Sequence, residues 1–214
     1  MASAVLEARG IVFGYQRDTA ILDGWSEAFA AGTMTALTGP SGRGKSTLLY
    51  LLGLMLRPRA GEVMLEGSPT ARASDRERAR LRAERFGFVF QDAALDATRS
   101  VLDNVTETAL YRGQLRGQLR ERALSLLDRF GVTVPAERRP GQVSGGQAQR
   151  IALCRALLSE PAVLLADEPT GNLDRGTAEL VVSALREHAC AGAAVIVVTH
   201  APEVAQQCDR EIRL

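Results

Sequence analysis

The chain has 214 residues, 46% hydrophobic and 24% charged, with a net charge of +1. That is enough for one sizeable core, and no overall field favours nucleic acid or an anionic membrane. Cys154, Cys190 and Cys208 are odd in number and widely spaced, which argues against a disulfide framework or a zinc site and fits a reducing cytosol. The opening MASAVLEARG lacks the basic flank and apolar run of a signal peptide. The longest apolar runs, near 162–166 and 193–198, fall far short of the roughly 20 residues that span a bilayer.

Along the chain, 5–15 and 20–30 read as short strands punctuated by Gly24 and Gly32. An apolar strand over 33–38 leads into GPSGRGKST, and the run 46–56 predicts a buried helix closing at Arg57-Pro58. A strand over 62–66 turns at Gly67. The charged stretch 72–85 predicts a solvated helix, since acidic residues are interspersed and aromatics are missing. Residues 86–90 form an aromatic strand ending at Gln91. From 92 to 142 the pattern turns helical, with 112–130 the longest candidate. Helix and strand then alternate: a helix over 147–158, a strand over 162–166, a helix over 177–188, a strand over 193–199 and a short helix after Pro202. Such alternation implies parallel pairing and right-handed crossovers. The predicted fold class is α/β: a P-loop NTPase core with a mainly parallel sheet (1–91 and 143–214), an N-terminal antiparallel β-subdomain and a helical subdomain inserted at 92–142. Together these make one domain over 1–214.

Gly39-Pro40-Ser41-Gly42-Arg43-Gly44-Lys45-Ser46 matches G-x-x-x-x-G-K-[ST] at every fixed position. Its glycines let backbone N–H groups turn inward as a nest for phosphate oxygens, and the following helix adds its positive dipole end. Lys45 supplies a point charge for the β- and γ-phosphates, Ser46 a hydroxyl for Mg²⁺, and Thr47 a further phosphate donor.

The apolar strand that follows the helical region ends in Asp167-Glu168. Adjacent strand-end residues point in different directions, so the two acids can do different jobs. Asp167 is the expected Mg²⁺ partner and Glu168 the group that orients and deprotonates water; the plainer alternative is an acidic turn before Pro169. His200, after another apolar strand, is placed to contact the γ-phosphate at the sheet edge where ligands bind. Gln91 ends a strand at the same edge, where its amide could reach Mg²⁺ or the water. Tyr15 either stacks on adenine or is an ordinary strand aromatic. His188 reads as a helix residue. Ser144-Gly145-Gly146-Gln147 opens a helix with free N–H groups and a hydroxyl: either a second phosphate site or a plain Ser cap.

With a phosphate cradle before it and LLADEPTGNLD after it, SGGQ gives the chain its resemblance to the ATP-binding subunit of ABC transporters. The resemblance covers essentially the whole sequence. It implies that Tyr15 is the adenine-stacking aromatic, Gln91 the Q-loop glutamine, Glu168 the catalytic base, Gly171 to Asp174 the D-loop and His200 the switch histidine. It also implies ATP and Mg²⁺ as cofactors, and a homodimer or paired subunit joined head to tail. Ser144 to Gln147 of one copy would then cover the γ-phosphate held by the other. DEPTGNLD, with Asp103-Asn104-Val105 and Tyr111-Arg112-Gly113, is similar to the lipoprotein-release and macrolide-exporter branch. The cell-division relative of that branch shares much of the wording.

The implied function is ATP hydrolysis that powers a separate transmembrane permease, from the cytoplasm at the inner membrane face. The alternative is an ATPase driving a non-transport membrane partner in cell-wall or division regulation. Nucleic acid is not an expected partner, and no N-K-x-D string reads guanine. Two departures stand out. Val143 replaces a usual Leu, and DAALDATRS after Gln91 lacks the usual Leu-Pro turn, carrying Asp96 and Arg99 where the family docks its membrane partner. A chain ending at Leu214 is expected to lack a C-terminal regulatory domain.

Overall fold

Valine, leucine and isoleucine fill both faces of the central strands, which is the pattern of a parallel sheet covered on both sides. In the computed structural model, residues 4–16, 19–171 and 173–214 are described. The elements run β1 (Ala4–Phe13), β2 (Leu22–Ala30), β3 (Met34–Thr38), α1 (Lys45–Leu52), β4 (Ala60–Leu65), β5 (Ser68–Pro69), α2 (Asp75–Arg85) and β6 (Phe86–Val89). They continue with α3 (Val101–Val105), α4 (Glu107–Tyr111), α5 (Arg116–Arg129), α6 (Gly145–Leu157), β7 (Val163–Asp167), α7 (Arg175–Cys190), β8 (Ala194–Val198), α8 (Pro202–Ala205) and β9 (Arg210–Arg213). Strands β2-β1-β4-β5 form an antiparallel sheet, and β6-β7-β8-β3-β9 form a parallel one. Among the described residues no helix is long and apolar enough to cross a membrane.

The parallel sheet divides the core by strict alternation. Val163 and Leu165 of β7, with Ala194, Ile196 and Val198 of β8, pack toward Leu48, Leu49 and Leu52 of α1 and toward the antiparallel sheet. Leu164, Ala166, Val195 and Val197 pack the other way, against Ile151 and Leu157 of α6 and Val181 and Leu185 of α7. Fully burying each such side chain stabilises the fold by about 1.5–3 kcal/mol. Parity alone therefore puts Asp167 on the face that looks at α1.

The fold class matches the sequence expectation, with differences in detail. The helix expected over 46–56 stops at Leu52. A Cβ on Gly53 would lie 2.6 Å from the Phe88 ring and 2.9 Å from Leu165, so backbone and sheet meet too closely for the helix to go on. The chain then turns through Leu54 at φ 57. The stretch 72–85, expected to be solvated, forms α2 with a Ser74–Glu77 capping box, yet Arg78 is buried at 4% exposure. Its Nη2 donates to Leu54 O at 2.9 Å and Leu56 O at 2.6 Å, and Arg82 Nη1 donates to Leu54 O at 2.8 Å. These guanidinium groups satisfy carbonyls of the turn that follows α1. The helix expected over 112–130 forms as α5 but starts four residues late, at Arg116, because the chain turns through Gly113 at φ 68 after α4. The first strand ends at Phe13, two residues early, because Gly14 packs against Thr19. Strands β5 and β9 were not expected.

The segment DAALDATRS, 92–100, is braced by Asn104 of α3, which is fully buried. Its Oδ1 accepts from Asp96 N at 2.7 Å, and its Nδ2 donates to Asp96 O at 3.0 Å and Ser100 O at 2.9 Å.

Arg78→Leu keeps bulk but strips two buried carbonyls of a charged donor. It is expected to cost about 2 kcal/mol. The measurement is a lower urea midpoint at unchanged slope; an unchanged midpoint contradicts this role for Arg78.

Candidate active site

Parallel strands all end at one edge, and a ligand site forms there when their following loops converge. The loop from β3 to α1 is the phosphate cradle. Gly39 sits at φ 133 and Gly44 at φ 90, and a Cβ on Gly44 would lie 2.3 Å from Ile21 Cγ2. Only glycine meets both demands at that position. Lys45 Nζ donates to Gly39 O at 2.8 Å and Pro40 O at 3.0 Å, so the ammonium lies over its own loop. Ser46 and Thr47 follow in the first turn of α1, with their N–H groups at its positive end.

Asp167 closes β7 and is 6% exposed. It faces Ser46 at the cavity, as its side of the sheet requires. Burial raises its pKa above the ordinary carboxylate range; Ser46 opposes this, the charge of Glu168 adds to it, and Lys45 opposes it. Glu168 leaves the strand at φ 46, a left-handed conformation that non-glycine residues rarely adopt. The bend is held by Glu168 N donating to Val198 O at 2.9 Å. Its carboxylate meets His200: Nδ1 is 2.8 Å from Oε1, and His200 N donates to Oε2 at 3.4 Å. Thr199, fully buried, carries His200 to this position through Thr199 N to Leu37 O at 3.1 Å.

Tyr15, Ser41, Gly42, Gly44, Lys45, Ser46, Thr47, Gln91, Asp167, Glu168 and His200 all line one cavity of about 500 Å³. The Tyr15 hydroxyl is 3.3 Å from Thr47 Oγ1. Gly39, Pro40 and Arg43 belong to the same loop but do not line the cavity. The remaining sequence candidates lie elsewhere in the chain. Ser144 and Gln147 form a capping box on α6, with Gln147 N to Ser144 Oγ at 3.3 Å and Ser144 N to Gln147 Oε1 at 3.0 Å. Gly145 and Gly146 open that helix, and a Cβ on Gly146 would lie 3.8 Å from Leu173. Asp174 caps α7, accepting from Thr177 N at 3.0 Å. Asn172, between Gly171 and Leu173, lies outside the described residues. Glu168 and His200 also line a neighbouring cavity of about 700 Å³ that extends to Gly171, Leu173 and Glu203.

Sequence reasoning missed Gln149. It is 6% exposed, and its Nε2 donates to Phe90 O at 3.1 Å and Pro169 O at 3.5 Å. It thus ties together the backbones next to Gln91 and Glu168. The only signal was a glutamine on the otherwise apolar face of α6.

The family model described as ABC transporter matches residues 22–171. The chain is 45% identical over 198 residues to the lipoprotein-releasing system ATP-binding protein LolD of Paramagnetospirillum magneticum, covering 92% of this chain and 88% of that protein. It is 43% identical over 199 residues to the macrolide export ATP-binding/permease protein MacB of Burkholderia pseudomallei, covering 93% of this chain but 30% of that protein. The dimeric bacterial ABC transporter cassette MJ0796 superposes with a TM-score of 0.89 at 33% identity, over 98% of this chain and 94% of that one. Its dimeric post-hydrolysis state bound to ADP and Pi gives 0.88 at 32% identity over the same shares. A cradle, two strand-end carboxylates and a histidine on one cavity, with relatives alike along nearly the whole chain, lead to one assignment: the protein belongs to the ABC transporter family, as an ATP-binding and ATP-hydrolysing subunit.

Proposed function

We propose that the chain hydrolyses ATP as one half of a head-to-tail pair, and thereby drives a separate membrane-spanning partner from the cytoplasmic face. The observation that carries this is the Glu168–His200 pair facing the phosphate cradle across a single cavity. Lys45 and the cradle N–H groups bind the β- and γ-phosphates. Gln91 and Glu168 orient a water in line with the γ-phosphorus. As the water oxygen bonds to phosphorus, Glu168 accepts its proton and the bond to the ADP oxygen breaks, leaving ADP and phosphate. His200 keeps the Glu168 carboxylate turned toward the water, and its exposed ring is free to reach the γ-phosphate.

The residues also fit Mg²⁺. Ser46 and Asp167 are hard oxygen donors on the same cavity, with the Gln91 amide beside them. Among the described residues no cluster of three or more His, Cys, Asp or Glu could hold a metal alone, which suits an ion that shares its ligands with a substrate phosphate. Bound there, Mg²⁺ neutralises charge developing on the phosphate oxygens.

The pairing accounts for the residues that stay outside the cavity. Ser144 to Gln147 present a helix N-terminus with no phosphate of their own, and head-to-tail pairing lays it over the γ-phosphate of the other copy. Leu173 lies beside Gly146, and with Gly171 it lines the neighbouring cavity. MJ0796, a similar cassette, is dimeric. We read residues 92–142 as a helical insertion carried on the core. Between it and β6 runs a groove of about 480 Å³ lined by Phe86, Phe88, Phe90, Met55 and Tyr111. Its phenylalanines stack at 5.9 and 5.8 Å. This apolar groove suits a helix of the membrane partner, and Gln91 follows Phe90 directly, so a load in the groove reaches the catalytic cavity within one residue. Transport is the favoured role because the similar proteins serve a lipoprotein-releasing system and macrolide export.

Glu168→Gln is expected to lower turnover by about 10²–10⁴-fold and to leave a stable MgATP-bound dimer in gel filtration with light scattering. Turnover at the wild-type rate refutes Glu168 as the base. Asp167→Asn is expected to abolish the extra thermal stabilisation that Mg²⁺ adds to ATP while ATP alone still binds. If the Mg²⁺ increment persists in that variant, Asp167 is not a ligand.

A further inference from the structure

Tyr15 is the one aromatic of the cavity, yet it stands on a loop beyond the end of β1, 65% exposed. It meets the Phe13 ring at 5.2 Å and 86°, and its hydroxyl meets Thr47 at 3.3 Å. Much of the ring is open to solvent, but a loop tyrosine so lightly held would lose stacking energy to its own ordering on binding.

What holds the loop is Arg59, just before β4. Its Nη2 donates to Gly14 O at 2.6 Å and to Gln16 O at 2.5 Å, the carbonyls on either side of Tyr15. Its backbone N donates to Val12 O at 2.8 Å. One residue thus grips the segment before, beside and after the ring. The loop can accept this grip because Gly14 has no side chain: a Cβ there would fall 1.9 Å from Thr19 O. Thr19 N closes the turn onto Gln16 O at 3.3 Å, and Ile21 N returns the chain to Phe13 O at 2.8 Å.

We propose that Arg59 is a positioning residue for the nucleotide base: it holds the carbonyls of Gly14 and Gln16, before and after Tyr15, so that the ring is pre-set to stack on a purine. The proposal rests on the reading of Tyr15 as the stacking aromatic. Arg59 does not line the cavity and reaches the base through the Tyr15 loop. Its effect must therefore appear with ligands that carry a base and vanish with those that do not. The bonds to Gly14 O and Gln16 O come from a single nitrogen, so a lysine ammonium, with three donors, can reproduce them.

The test is calorimetric binding of MgADP and of magnesium pyrophosphate to Tyr15→Ala, Arg59→Ala, Arg59→Lys and the double alanine variant. Stacking of a base on an aromatic ring is lost on alanine substitution at a cost equal to roughly a tenfold weaker Kd. Tyr15→Ala and Arg59→Ala are each expected to weaken ADP about tenfold and to leave pyrophosphate within about twofold. Arg59→Lys is expected to recover most of the loss, and the double variant to be no weaker than Tyr15→Ala, as for residues acting in series. Equal loss of ADP and pyrophosphate in Arg59→Ala, or full additivity in the double variant, overturns the positioning role. A Tyr15→Ala effect with no Arg59→Ala effect also overturns it, while leaving the stacking reading intact. If Tyr15→Ala does not change ADP affinity, stacking itself fails and the role of Arg59 falls with it.

Discussion

Leu37, Val198 and Asp167 lie abreast on three adjacent parallel strands, and the whole site depends on that register. One residue beyond the row come Glu168 and Thr199, and two beyond it Gly39 and His200. A slip of one residue between β7 and β8 would carry Asp167 to the opposite face of the sheet, away from Ser46. The polar contacts of the site cannot set the register themselves, since each net hydrogen bond is worth about 1 kcal/mol. The alternating apolar residues of β7 and β8 can, at about 1.5–3 kcal/mol for each buried side chain. Core packing decides the alignment, and the chemistry inherits it.

Charge at the sheet edge is kept in tension. Two carboxylates stand side by side, one buried, with Lys45 as the cation of the cavity. Burial works against the charged form of Asp167, which makes the position a poor place for an anion and a good one for an anion that meets a cation. Glu168 adds a conformational cost, of order 1–3 kcal/mol for a non-glycine residue held at such a φ. Val198 O and His200 hold it there. The bend aims the carboxylate across the cavity instead of along the strand. Strain here has a purpose that no packing argument would supply.

Much of the arrangement was legible. The cradle is a local motif whose glycines and lysine work within one loop, so adjacency in sequence is adjacency in space. Asp167 and Glu168 announce themselves as acids ending an apolar run. Other parts were hidden because their causes are distant. α1 stops where Gly53 meets Phe88 and Leu165, more than thirty and a hundred residues away. Arg78 belongs to a run that looks solvated, and only the carbonyls of Leu54 and Leu56 draw it inward. β9 has the polar sequence REIR and becomes a strand because β3 offers it an open edge. Gln149 and Arg59 look unremarkable in sequence, because their partners are backbone atoms of other loops, which carry no sequence signature.

By itself, then, the sequence determined the chemistry available: a phosphate cradle, a Mg²⁺-type hydroxyl and carboxylate, a candidate base, and alternation that demands a parallel sheet. These depend on residue type and short-range spacing. The tertiary structure decided which groups meet. It joined Tyr15, Gln91, Asp167, Glu168 and His200 to the cradle in one cavity, and left Ser144 to Gln147 and Asp174 outside it. Strand register, close glycine contacts and long-range bonds to backbone carbonyls made that division, and each depends on residues far apart in the chain.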